Sequence, residues 1–376
     1  MPKTLEEHYG YLSDREKLKA YESAINRLVQ PDSIVLDLGC GSGLLGLMAL
    51  RAGARKVLFV EEGEVIEIAR QAIVQAGFGD KAEFFQTNSF QLALPERVDI
   101  VVCDHIGYFG FDYGAIGLLA DAKKRFLKPD GIVVPATIEL YLAPIDSEAC
   151  REFVGQWRDG GVPRDFEWLG TTAANSKHAV QLEEQDLLAE PAALATLELG
   201  PESPPYLSWT TEFTCTRDGT LDGIAGWFDC RIFGDVHMSN SPTSAERLIR
   251  PQAFFPVDRP VPVKSGAAIR VTVMIRHEDG VIGWIVELPH SGETFSHTTF
   301  NGLILDNSSL NRGRPDRIAR LNDRGRARQI VLSYCDGKQT VEQVEALVIQ
   351  DHPDLFPSAR ATSTFVRSVL QWDTGE

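Results

Sequence analysis

The run Ile34-Val35-Leu36-Asp37-Leu38, followed at once by Gly39-Cys40-Gly41-Ser42-Gly43, constrains this chain more than any other feature. A short apolar, β-branched run bounded by turn residues reads as a buried strand. Glycines after it let the backbone adopt positive φ and come close to a ligand. The apolar stretch from about Leu44 to Ala52 reads as a helix. A strand feeding a helix through a glycine turn is the opening unit of a doubly wound α/β sheet.

Four more strands continue that pattern: Val57 to Val60, Ala82 to Gln86, Asp99 to Cys103 and Ile132 to Val134. Helices are expected over Glu64 to Ala76 and near Tyr113 to Phe126. From about residue 137 the texture changes. Trp209 to Thr216, Gly226 to Phe233, Ala268 to Ile275 and Ile282 to Leu288 alternate apolar and polar residues between Gly, Pro and Asp turns, the pattern of antiparallel strands. Glu183 to Ala195 reads as an inserted helix, bounded by the proline-rich stretch Gly200 to Pro205. A third texture begins near Asp306, where seven arginines from Arg312 to Arg328 face only Asp316 and Asp323. Two amphipathic helices are expected after it, one introduced by the capping-box spacing of Thr340 and Gln343, the other over about Thr362 to Gln371. The expected domains are thus 1–136, 137–305 and 306–376, in keeping with 376 residues.

Charge narrows the partners. Lys and Arg number 37 against 53 Asp and Glu, a net charge of -16, which argues against general nucleic-acid binding. Residues 306–376 hold about ten basic and about ten acidic groups, so the whole surplus lies in residues 1–305. No apolar run approaches a membrane span, and the amino terminus has no signal-peptide pattern. The six cysteines are scattered, without Cys-x-x-Cys or a His/Cys cluster, so reduced thiols, a cytoplasmic location and no metal site are expected.

The loop also contains Gly41-x-Gly43-x-x-Gly46, so its glycines alone do not separate NAD from S-adenosylmethionine. Glu61, ending the second strand, can accept hydrogen bonds from both hydroxyls of a ribose in either case. Three features favour S-adenosylmethionine. The order Asp-x-Gly-x-Gly-x-Gly resembles motif I of class I methyltransferases, and Leu127-Lys128-Pro129-Asp130-Gly131 resembles their turn into the fifth strand. Asp37, in addition, would be awkward beside a diphosphate and favourable beside a sulfonium or ammonium.

Val98-Asp99-Ile100-Val101-Val102-Cys103-Asp104-His105-Ile106-Gly107-Tyr108-Phe109 resembles the protein arginine methyltransferase family, and the resemblance covers roughly residues 8–290. It implies a Rossmann-like domain followed by an antiparallel β-barrel, with His8, Asp14, Lys17 and Tyr21 on a helix over the cofactor. It also implies a homodimer. In its terms Gly39, Cys40, Gly41 and Gly43 form the cofactor loop, Glu61 holds the ribose, and Asn88 and Ser89 edge the adenine. Lys17 stands where the family has an Arg for the methionine carboxylate, keeping the charge but losing the fork. The acceptor site departs from the family pattern. Asp104 matches the first of two glutamates, Tyr113 falls on the second with Asp112 beside it, and Leu248-Ile249-Arg250 replaces the Thr-His-Trp loop. The aromatic amino-terminal motif is absent as well.

Two carboxylates can clamp a guanidinium and aim one nitrogen at the methyl group. With Asp104 and a Tyr, either Asp112 completes the clamp or a smaller nucleophile is taken, with Asp104 or His105 accepting the proton. Leu321-Asn322-Asp323-Arg324-Gly325 and Tyr334-Cys335-Asp336-Gly337 through Glu342 resemble the PqqD-like, winged-helix module that binds leader peptides. The sequence therefore implies a methyltransferase acting on a nitrogen of a peptide or protein side chain. A small guanidino or amino metabolite, or a binding module without catalysis, are the alternatives.

Overall fold

Five parallel strands, β1 (Ile34–Leu38), β2 (Lys56–Glu61), β3 (Ala82–Gln86), β4 (Val98–Val102) and β5 (Leu127–Val134), form a sheet in the order β3-β2-β1-β4-β5. The computed structural model describes residues 2–158, 161–197 and 204–374. β1 is buried along its whole length, as a strand covered on both faces requires. The amino-terminal helices are α1 (Pro2–Ser13) and α2 (Arg15–Leu28); α3 (Leu44–Arg51), α4 (Ile66–Gln75) and α5 (Ala115–Arg125) connect the strands. Strand order reverses between β1 and β4, so the carboxyl ends of these two strands open the crevice where such sheets bind ligands.

Two antiparallel sheets follow, within the same compact unit, Met1–Ile304. The first uses β6 (Thr137–Ile145), β7 (His178–Val180), β8 (Ala192–Leu197), β10 (Gly219–Phe233), β11 (Val236–Ser239) and β12 (Gln252–Val263), ordered β7-β12-β10-β6-β8 with β11 beside β10. The second uses β9 (Tyr206–Thr214), β13 (Ala268–Arg276), β14 (Val281–Leu288) and β15 (Glu293–Thr298), ordered β15-β14-β13-β9. The expected barrel thus takes the form of two sheets, with Phe255 and the fully buried Trp284 packed at 5.3 Å between ring centres. Helices α6 (Glu148–Gly155) and α7 (Leu169–Ala174) precede β7.

The helix expected over Glu183 to Ala195 does not form. Glu183 caps a single 3-10 turn, Glu184–Asp186, and after Pro191 the chain enters β8, paired with β6 from Ile138↔Leu197 onward. Leu182 and Leu188 are buried on either side of that turn, so its apolar residues anchor an irregular segment instead of a helix face. Of the proline-rich stretch, Gly200 to Ser203 lie outside the described residues.

The second compact unit, Leu305–Glu376, comprises α8 (Asn307–Gly313), α9 (Asp323–Ser333), α10 (Val341–Asp351) and α11 (Ala359–Asp373). Each long helix has a side-chain cap: Asn322, then Thr340 in a full capping box with Gln343, then Ser358. Val331, Val344, Val348, Val366, Val369 and Leu370 make its own small core. The wing expected of a winged-helix module is missing: the described residues of this unit contain no strand.

One glycine of the fingerprint serves packing. A Cβ on Gly46 would lie 2.1 Å from Cε1 of Phe59, whose ring is fully buried and stacked on Phe84 at 4.8 Å. Overpacking of this kind costs about 1–3 kcal/mol. Gly46→Ala should therefore lower the urea midpoint at unchanged slope; an unchanged midpoint would show that Phe59 can move aside.

Candidate active site

The turn after β1 and the loop after β4 meet across the crevice, and α1 and α2 cover them. Asp14 starts α2 as its cap, with Oδ1 accepting from the Lys17 N–H at 3.2 Å. Its Oδ2 accepts from the Ile249 N–H at 3.1 Å, tying α2 to the loop before β12. Gly41 has φ +51, and a Cβ there would sit 3.0 Å from the His8 ring, so glycine permits both the turn and the close cover by α1.

Two adjoining cavities result, of about 580 Å³ and about 620 Å³. They share Gly39, Glu61, His105 and Tyr113. Lys17, Asp37, Cys40, Gly41, Asp104 and Arg250 line the first. Glu62, Asn88, Ser89 and Phe90 line the second, where the Asn88 amide donates to Glu62 at 3.1 Å. Gly43 lines neither; with φ +77 it starts α3 against Ala69.

Glu61 is fixed by two backbone donors, Gly41 N–H at 3.1 Å and Gly63 N–H at 2.8 Å, on the boundary between the cavities. A nucleoside with its ribose on Glu61 would extend its base toward Asn88 and its other end toward Asp37 and Lys17. Asp37 is 1% exposed and accepts from the Gly46 N–H at 2.7 Å. Burial pushes its carboxyl up to about 7, with Glu61 and Asp104 adding to the rise against that hydrogen bond.

Asp104, just past β4, is held on several sides. Its Oδ2 lies 2.5 Å from Arg250 Nη2 and 3.1 Å from Lys17 Nζ, and its Oδ1 lies 3.3 Å from the Tyr21 hydroxyl. Tyr21 itself donates to the Cys103 carbonyl at 2.9 Å. Burial acts to raise the Asp104 pKa, yet Arg250 and Lys17 outweigh it and hold the carboxyl below its usual range. Burial likewise lowers His105, against the pull of Glu61 and Asp104, favouring a neutral imidazole. Its ring packs on Tyr113 at 5.1 Å.

Asp112 does not complete a carboxylate pair. Its Oδ2 accepts from the N–H groups of Tyr108 at 2.9 Å and Phe109 at 2.7 Å, and its Oδ1 pairs with Lys177. Tyr113, at φ 58 and 65% exposed, offers a phenol where the second carboxylate was expected. Sequence reasoning located the 248–250 loop but missed the cation it brings. Lys177 and the Asp14 tie gave no local signal, since their partners lie 65 and 235 residues away.

Parallel-sheet topology, the glycine turn and Glu61 define a nucleotide-binding α/β domain, and comparison with known proteins identifies it as a methyltransferase domain. A methyltransferase-domain family model matches residues 35–131, and the PRMT5 oligomerisation domain matches residues 141–301. Protein arginine N-methyltransferase PRMT10 of Oryza sativa subsp. japonica is 37% identical over 307 residues, 71% of this chain and 80% of that protein. The Arginine N(omega)-methyltransferase of Streptomyces achromogenes subsp. streptozoticus is 29% identical over 269 residues, 70% of this chain and 74% of that one. Among solved structures, the Trypanosoma brucei PRMT1 enzyme-prozyme heterotetrameric complex with AdoHcy aligns with TM-score 0.68 at 20% identity, covering 77% of this chain and 96% of that one. The chain belongs to the protein arginine N-methyltransferase family. It is an S-adenosylmethionine-dependent methyltransferase, and the glycine turn, Glu61, Asp37 and Lys17 fit that cofactor. Among the described residues no His, Cys, Asp and Glu group could hold a metal, and no helix is long and apolar enough to cross a membrane.

The raised Asp37 value carries a pH dependence. A carboxyl with a higher pKa folded than unfolded stabilises fully below its unfolded value near 3.8 and loses that contribution as the pH climbs through about 7. In ligand-free protein, thermal melts from pH 4 to 8 should show wild type losing stability relative to Asp37→Asn across this window. Parallel curves would mean that Asp37 titrates normally.

Proposed function

We propose that this enzyme methylates a guanidino nitrogen, on an arginine of a peptide or protein. The observation that carries this reading is Asp104: a carboxylate at the reversal of strand order, on the cavity wall, with a guanidinium already seated on it at 2.5 Å. A carboxylate that accepts one guanidinium in this geometry can orient another. The cofactor, when bound, supplies the methyl group on a sulfonium. Asp104 would align the acceptor so that its nitrogen lone pair forms the new N–C bond as the S–C bond breaks. The proton then leaves the methylated nitrogen for Asp104 or the neutral His105.

Free arginine is the second reading, favoured by the relative named an arginine N(omega)-methyltransferase. The peptide reading is supported by the separate 305–376 unit, whose sequence resembles leader-peptide-binding modules and would recruit substrate, raising its local concentration. A homodimer built through residues 141–301 fits the oligomerisation-domain match.

Asp104→Asn should lower methyl transfer by about 10²-fold or more even at saturating cofactor. Mass spectrometry for a +14 Da product and assay of S-adenosylhomocysteine would check this. Full activity in the variant would remove Asp104 from the chemistry. Deleting residues 305–376 should weaken a long peptide substrate far more than a short arginine peptide. Equal losses would assign the unit a structural role.

A further inference from the structure

We propose that Arg250 is a built-in occupant of the acceptor carboxylate, and that a cationic acceptor reaches Asp104 only by displacing it. This rests on the guanidino reading above and adds to it what limits acceptor affinity.

Arg250 is 7% exposed and lies in the cavity wall. Both terminal nitrogens are engaged: Nη2 on Asp104 Oδ2 at 2.5 Å and Nη1 on the Gly107 carbonyl at 3.0 Å. The second cation on the same oxygen is Lys17, which by the family resemblance would take the cofactor's carboxylate. When Lys17 is drawn away, Arg250 still neutralises Asp104. Asp112 is not placed to receive an incoming guanidinium, because it is bound to Lys177 and two backbone donors. An incoming cation therefore meets a paired carboxylate and a like charge beside it, in a half-buried site where such repulsion is weakly screened. The neighbouring Ile249 is 71% exposed, so the loop carrying Arg250 reaches the surface and offers the displaced side chain a way to water.

The consequence is a uniform penalty. Every cationic acceptor loses affinity by the same factor, the fraction of enzyme in which Asp104 is free. A productive acceptor must then draw compensating affinity from contacts away from Asp104. Arg250 is a positioning residue in this scheme: it acts on the acceptor through Asp104.

The test measures L-argininamide binding to the full chain saturated with S-adenosylhomocysteine, by calorimetry. Arg250→Gln keeps a donor for the Gly107 carbonyl and removes the charge, and should bind the probe roughly tenfold more tightly or better. Arg250→Lys, which keeps a cation, should gain little, and adding Asp104→Asn to Arg250→Gln should erase the gain. Equal or weaker binding by Arg250→Gln, with S-adenosylhomocysteine still bound, overturns the proposal. Should that variant fail to fold, the Arg250 side-chain N–H resonance of the unaltered protein decides instead. It should shift when argininamide saturates the site, and a resonance that stays in place refutes displacement. Tighter binding in Arg250→Gln without any methylated argininamide or arginine peptide would discard the guanidino reading and leave the occupancy of Asp104 standing. Methylation with no gain in the variant would do the reverse.

Discussion

The site depends on one half-buried carboxylate shared by three distant parts of the chain. Asp104 follows β4, Lys17 comes from the covering helix α2, and Arg250 comes from the loop before β12. Leaving any of these charges unpaired in such a place would cost about 3–5 kcal/mol. Asp104 therefore holds both the covering helix and the loop in position. Asp14 adds a second tie between α2 and the same loop through the Ile249 N–H. The cover over the cofactor turn is thus latched by polar groups, alongside the apolar packing of Tyr21, Ala24 and Ile25.

That arrangement links cofactor and acceptor. The two cations on Asp104 would differ when ligands arrive: a cofactor carboxylate would draw Lys17 off, whereas Arg250 would meet another cation. A two-carboxylate clamp would hold its acceptor without an internal partner. With a single Asp, the folded protein supplies the missing counter-charge itself, and this lets one unassisted carboxylate remain ionised inside the wall.

The frame of this site was legible because its signals are local. Strand β1, the glycine turn and α3 follow from adjacent residues, as does the cap at Thr340. Readings failed where a local pattern had two outcomes or where the partner was remote. Glu183 to Ala195 has helix-forming residues, yet Pro191 and pairing with β6 make its end a strand. The arginine-rich approach to α9 could not disclose that no strand precedes it. Arg250 stood at a recognised position, but its meaning required knowing that it faces Asp104 across 146 residues. Spacing carries no such information.

Charge around the first cavity gives the surplus acid of the chain a local purpose. Asp14, Asp37, Glu61 and Asp104 line it against Lys17 and Arg250. Backbone N–H groups satisfy Asp37 and Glu61, so the excess is held without further cations. A cofactor carrying an ammonium, a sulfonium and one carboxylate brings net positive charge to that wall. It would lower the cost of ionising Asp37, which burial now holds near the point of half-protonation at neutral pH. The same wall would repel a diphosphate, so the strand-end aspartate separates this site from a dinucleotide fold that its glycines alone leave open.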